Sequence, residues 1–245
     1  MARLKLPYAG DGAIQKLLTR YGCPTPFHVV RMRFWGEVVS PAQKVSPVKT
    51  IEAFWPAGLP TFDSAEEANA FFQALMGLWN HLAGYQGGSR SLKLTKVGAI
   101  NTRDGLYAAA KIRVEELYEG FMRGFTGGQD DLDVPAGVGD LLTRIEKGIE
   151  LLATARNTFA RPPGPEDAGI LAELSGIFPV VDRALHDDLN AIAVAVTRWR
   201  SGQAPLGARL NSINNRRLLK PIGNIPPAEA EERPNAMLGE QKQAA

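Results

Sequence analysis

Phe27-His28-Val29-Val30-Arg31-Met32-Arg33-Phe34-Trp35-Gly36-Glu37-Val38-Val39 is the stretch on which the fold class turns, because it fits two periodicities. Val30, Met32 and Phe34 alternate as on a strand, whereas Phe27, Val30, Phe34 and Val38 recur at helical spacing. No other segment reads as a convincing strand to pair with it, and an isolated strand would leave a row of backbone donors and acceptors unmatched. The helical reading is therefore preferred, and with it an all-α protein.

Working outward, residues 10–22 form an amphipathic helix with Asp11 as the expected N-cap, Ile14, Leu17 and Leu18 on one face, and Gly22 as the stop. Ser46-Pro47 has the chemistry of an N-cap followed by proline in the first helical position, opening a short helix that ends before Pro56. Ser64 followed by Glu67 is a capping box, with Phe62 as its hydrophobic staple. The helix it opens carries Ala68, Phe71, Phe72, Leu75, Leu78, Trp79 and Leu82 at i, i+3, i+4 spacing and ends at the glycines of 84–88. Asn101 or Thr102 caps a long helix to about Phe125, whose buried face is Leu106, Ala109, Ala110, Val114, Leu117, Phe121 and Met122. A further helix spans about 136–159. A last helical region runs from about Glu166 to Arg200 and contains Pro179, so it is kinked or divided there. The expectation is an all-α multi-helix bundle over residues 1–200, followed by an irregular, basic Pro/Asn/Arg-rich tail over 201–245.

Composition agrees with a packed domain: of 245 residues, 44% are hydrophobic and 22% charged. Apolar runs such as Ile192–Val196 are far too short to cross a bilayer. The segment Met1–Tyr8 has no apolar stretch of the secretion-signal kind, which predicts a cytoplasmic protein. A lone cysteine, Cys23, excludes an internal disulfide, and with three histidines it excludes a Cys-rich zinc module. Residues 1–197 hold 20 basic and 22 acidic side chains, and residues 198–245 hold 8 and 4, so the net charge of +2 arises at the end of the chain.

The segment Trp55–Asn69, continued through Leu75–Asn80, contains Pro60-Thr61-Phe62-Asp63-Ser64-Ala65-Glu66-Glu67-Ala68 and then an aromatic-Asn pair, Trp79-Asn80. Gly36–Pro41 with Val45-Ser46-Pro47 supplies a short helix, a Ser-Pro turn and a second helix start, and Tyr118–Gly124 supplies an aromatic-x-Gly-Phe-hydrophobic-x-Gly motif. On these residues, roughly 27–125, the chain resembles the YecA/YgfB-like family of bacterial proteins. The resemblance implies an all-helical fold and a dimer, and no catalytic residues. Some members end in a cysteine-rich zinc-binding segment, which has no counterpart here, so no zinc-dependent role is carried over.

Each chemical constellation has a competing structural reading. Cys23 and His28 are five positions apart and could form a nucleophile and base, but a lone Cys beside Pro24 and Pro26 reads as a small buried hydrophobe. His81 reads as a polar group near a helix end. His186 with Asp182 four residues before it has metal-ligand spacing, and a solvated helix face accounts for it more simply. The turn Asp130-Asp131-Leu132-Asp133 after Gly127-Gly128 lacks the loop of an EF-hand. Glu115, Glu116 and Glu119 could serve acid–base chemistry, against which Glu119 and Arg123 form an exposed i, i+4 ion pair. Gly10-Asp11-Gly12 and the glycines of 84–88 lack the spacing of phosphate-binding loops. Phe54, Trp55, Phe62, Phe71, Phe72 and Trp79 read first as core and second as interface.

The functional expectation is a non-enzymatic protein-interaction or regulatory protein without cofactor or metal, its partner another protein or a second copy. The residues assigned to partner binding are Arg198, Trp199, Arg200, Arg209, Arg216, Arg217 and Lys220, a basic run uninterrupted by acids. One alternative is nonspecific nucleic-acid binding by 198–220, with the cations on phosphates and Trp199 as a stacking surface. A second is a helical-bundle enzyme using Glu115, Glu116, Glu119 or His186.

Overall fold

Helix α2 (Phe27–Val39) occupies the centre of the fold, and the other helices are arranged about it. Val29, Val30, Met32, Phe34, Trp35, Val38 and Val39 are all buried, and a helix that is apolar on every side must be enclosed on every side. The alternation of Val30, Met32 and Phe34 thus reflects complete burial and not a strand. The computed structural model describes residues 6–42, 46–86, 90–129 and 132–202, and among these no strand occurs.

On one side of α2 lie α1 (Asp11–Arg20), α3 (Pro47–Ala53) and α4 (Ala65–Ala83). The aromatic set packs here: the Phe71 ring meets Tyr21, Trp55, Phe62 and Phe72 at centroid distances of 5.0 to 5.4 Å, and the Trp55 indole N–H donates to the Tyr21 carbonyl at 2.9 Å. Ser64 caps α4 as expected, accepting from the Glu67 amide at 3.1 Å; Glu67 reaches back to the Asp63 amide at 2.8 Å, one residue before the cap. Ser46 caps α3 and Thr102 caps α5 (Arg103–Val114) in the same way. Asp11 does not cap α1. Gly10 takes that position with φ +91°, a geometry glycine adopts without penalty, and Asp11 becomes the first helical residue.

On the other side of α2, α5 continues without a break into a π-helical segment (Glu115–Met122) and a last turn, α6 (Arg123–Thr126). The expected buried face from Leu106 to Met122 is buried throughout, but the wider winding over 115–122 has no signature in the apolar pattern. The contact with α2 is made backbone to backbone. A methyl group at Gly124 would lie 2.2 Å from the Arg33 carbonyl oxygen, and one at Gly36 would lie 2.3 Å from that of Phe121. Gly120 is similarly closed off, 2.7 Å from the Met32 Cβ. Helix α7 (Val138–Ala160) packs against α5, and α8 (Asp167–Arg200) against α7. α8 is one helix, with Pro179 on its exposed side. The expected tail lies outside the described residues from 203 onward, and so do Asp130 and Asp131 of the acidic turn.

Glu37 sits in the enclosed part of α2, where the Thr50 hydroxyl donates to its carboxylate. Burial raises its pKa from the usual 4.5 to about 7, against the opposing pull of that hydroxyl and of the nearby Arg33 guanidinium.

Two predictions follow from this packing. Gly124→Ala should destabilise the fold by about 3 kcal/mol, because backbone cannot retreat from the added methyl as a side-chain tip could. Gly12→Ala, on open helix surface, should be neutral or gain about 0.5–1 kcal/mol. Urea denaturation of both variants measures the contrast. Because Glu37 holds its proton more tightly folded than unfolded, folding takes up a proton between about pH 4.5 and 7, and stability falls as pH rises through that window. Glu37→Gln should flatten this part of the stability–pH curve and raise stability at pH 8 by about 1–3 kcal/mol, discounted for residual solvent screening.

Candidate functional site

Residues 91–100 follow α4 as a strap without helical or strand structure, and side chains meet its backbone at Leu92, Lys93 and Thr95. The Asn190 side chain of α8 accepts from the Leu92 amide at 2.9 Å and donates to the Leu92 carbonyl at 3.1 Å. Glu116, with no solvent exposure, accepts from both the amide and the hydroxyl of Thr95, at 2.9 and 2.8 Å. Arg113 Nη2 donates to the Thr95 carbonyl at 2.9 Å, its Nη1 to Glu116, and its Nε to Asp182 of α8 at 2.5 Å. Arg31 of α2 completes the group: its Nη2 lies 2.9 Å from Glu116, 2.9 Å from the Lys93 carbonyl and 3.2 Å from the Thr95 hydroxyl. One carboxylate thus holds two guanidinium groups and the strap together.

Glu116 and Arg113 at the centre of this network are enclosed, and they join helices to the strap. A buried ion pair is expensive to form, but removing one partner leaves an uncompensated charge, which costs more. Glu116 is therefore a structural anion. Glu115 faces elsewhere, with its Oε2 3.0 Å from His28 Nε2, and Glu119 pairs with Arg123 at 2.9 Å on the surface as expected. The three glutamates of the enzyme reading do not share a site. Asp182 and His186 separate as well: the first holds Arg113, and the second lies 3.1 Å from Asp187. The Cys23 thiol, half-buried and shifted up by that burial, lies 3.5 and 3.7 Å from the Thr25 and Phe54 carbonyls, while His28 is engaged by Glu115. Among the described residues, no group of three His, Cys, Asp or Glu side chains is placed to hold a metal ion.

Two open concavities flank Tyr85. The first is a cleft of about 350 Å³ where the entry to α1, the end of α4 and Arg31 of α2 meet. Gly77 makes it possible: a side chain there would strike the Pro7 carbonyl at 2.6 Å, and its absence lets the chain before α1 lie against α4. Tyr8 is thereby laid on His81, with ring centroids 4.2 Å apart and planes 17° from parallel. His81 Nε2 is in turn 3.3 Å from the Tyr85 hydroxyl, so this histidine belongs to an aromatic wall and not to a helix cap. Burial lowers the His81 pKa, with Asp11 opposing and Arg90 assisting. Burial and the hydrogen bond to Asp11 both push the Tyr8 phenol upward. Leu78, Leu82 and Leu92, all buried, complete the cleft.

The second concavity, about 450 Å³, runs beside the last third of α8, with Ala191, Val194 and Ala195 lining it and Arg90 and Arg198 beside them. Of the residues expected to bind a partner, Arg198 is exposed on this groove and Trp199 is half-buried. Arg200 donates to the Val38 carbonyl at 3.0 Å, and so serves the C-terminal end of α2. Arg209, Arg216, Arg217 and Lys220 lie outside the described residues. Tyr8, Asp11 and Tyr85 carry no motif as site residues. The one visible signal was the i, i+4 pairing of His81 with Tyr85, and a charged Arg31 inside the apolar run of α2 marked a buried partner without naming it.

Glu116→Ala should cost about 3–5 kcal/mol, since it leaves Arg31 and Arg113 buried beside each other with like charge. Hydrogen exchange should show early loss of protection at the Leu92 and Thr95 amides, the points where the strap is fastened.

No family model, curated protein or solved structure matches the chain.

Proposed function

We propose that the protein is a non-enzymatic interaction module that receives an acidic, partly apolar segment of another protein in the groove beside α8. The observation that carries this reading is the composition of that groove: an apolar surface of Ala191, Val194 and Ala195 with two arginines, Arg90 and Arg198, at its side. Apolar area supplies affinity, and flanking cations select an acidic partner and speed its arrival. Two interior carboxylates support the same view, Glu116 fastening the strap and Glu37 accepting from Thr50 of α3. The resemblance to the YecA/YgfB-like family is kept within this proposal; three of the residues that carry it, Gly36, Gly120 and Gly124, make the closest helix contact of the fold.

Nucleic-acid binding through 198–220 is the competing reading, and one experiment separates the two. The full chain, Val194→Asp and Arg198→Glu are each used to capture proteins from extract, with the exposed Lys147→Glu as a charge-matched control. Retention of one protein by the wild type and the control, falling at least tenfold in both groove variants and displaced by a glutamate-rich peptide, is the expected result. Salt-sensitive binding of single-stranded DNA that Arg198→Glu abolishes and Val194→Asp leaves unchanged would overturn it in favour of nucleic acid.

A further inference from the structure

Among the described residues, the cleft beside Tyr85 is lined by one cation and one anion, Arg31 and Asp11, that do not pair with each other. Arg31 makes its ion pair with Glu116, and the Asp11 carboxylate takes the Tyr8 hydroxyl. Both line the same space of about 350 Å³. The Arg31 side chain is only 13% exposed, its contacts among the described residues all run through Nη2, and its buried Nε has no hydrogen-bond partner there. Nε is enclosed, whereas Nη1 is not and makes no hydrogen bond among the described residues, so Nη1 is the guanidinium N–H left for an acceptor entering the cleft. Asp11 lies at the rim, exposed, and can accept from a ligand donor as well as from Tyr8. Both charges act on the Tyr8 phenol, and the rest of the lining is apolar and aromatic, formed by Leu78, Leu82, Leu92 and Tyr85. His81 stacks on Tyr8 beside it, and burial disfavours the charged form of its ring.

A ligand complementary to this arrangement carries a carboxylate and an ammonium group close together and an apolar side chain. We propose that the cleft is a binding site for a small zwitterion of the α-amino-acid class with an aliphatic or aromatic side chain, its carboxylate on Arg31 and its ammonium on Asp11. The cleft's size is at the lower end of small-molecule sites, roughly 300–1,000 Å³, which suits a free amino acid better than a nucleotide or a peptide. A simple carboxylate would leave Asp11 opposing it, and a simple amine would meet Arg31. Only the combination satisfies both. The site is distinct from the α8 groove, from which the Tyr85 ring divides it.

The test is calorimetric titration of the full chain with L-leucine and L-phenylalanine, beside two near-isosteres of leucine that each lack one charge, 4-methylpentanoate and 3-methylbutylamine. Saturable binding of an amino acid, with both single-charge analogues at least tenfold weaker, is expected. Arg31→Gln disturbs the Glu116 network and can unfold the chain, so Asp11→Asn and Tyr85→Ala serve as the variants, with thermal melts to verify folding. Each should weaken amino-acid binding at least tenfold, and Asp11→Asn should leave affinity for 4-methylpentanoate equal or higher. Binding of the carboxylate analogue as tight as that of leucine, unchanged binding in both variants, or no binding of either amino acid at millimolar concentration would overturn the proposal.

Discussion

The rest of the structure depends on the closeness with which α2 meets the π-helical segment and α6. Three glycines, Gly36, Gly120 and Gly124, let the two backbones touch, and a β-carbon at any of them would sit inside the van der Waals distance of a neighbour. This approach puts α2 so deep in the molecule that its polar residues must find partners there. Arg31 finds Glu116, Arg33 finds the Glu119 carbonyl at 3.2 Å, and Glu37 finds Thr50. The raised pKa of Glu37 follows from the same enclosure.

The second consequence is the strap. Residues 91–100 have neither helical nor sheet hydrogen bonds, yet they cross the protein between α2, α5 and α8. Backbone that crosses such ground stays only if side chains satisfy it. Asn190, Arg31, Arg113 and Glu116 do so, and these residues come from α8, α2, α5 and the π-helical segment. The charges are thus the fastening between the two halves of the bundle. Arg31 belongs both to the fastening and to the first cleft, so occupancy of that cleft and integrity of the network are physically connected through one guanidinium group.

Tyr85 stands at the boundary of the two concavities, its ring edge-to-face with both His81 and the fully buried Trp35. A ring seated on the core in this way is a rigid divider. The α8 groove on one side presents an apolar surface with cations suited to an acidic segment, and the cleft on the other presents opposite charges across a small space. Their chemistries differ because different helices supply them: α8 and the start of the strap build the groove, whereas α1, α2 and α4 build most of the cleft.

Local chemistry in the chain determined the helical class, the Ser46, Ser64 and Thr102 caps, the aromatic core and the buried face of α5 onward, because periodicity and capping depend on residues within a turn or two of one another. It also determined that α2 is helical, although the alternation that competed with this reading arose from burial on all sides. What only the tertiary structure decided has a common cause: it depends on residues far apart in the chain meeting in the fold. Glu116 read as one of three glutamates that could serve acid–base chemistry until Arg31, Arg113 and Thr95 closed around it. His81 read as a helix-end polar group until Gly77 admitted the segment carrying Tyr8. Asp182 read as a partner of His186 on its own helix, and Arg113 of α5 claimed it. The π-helical winding was hidden for the same reason, since an apolar pattern records which residues are buried and not how closely a second backbone approaches. Charge sign and side-chain period are properties of the chain; the pairing of charges and the position of open space are properties of the fold.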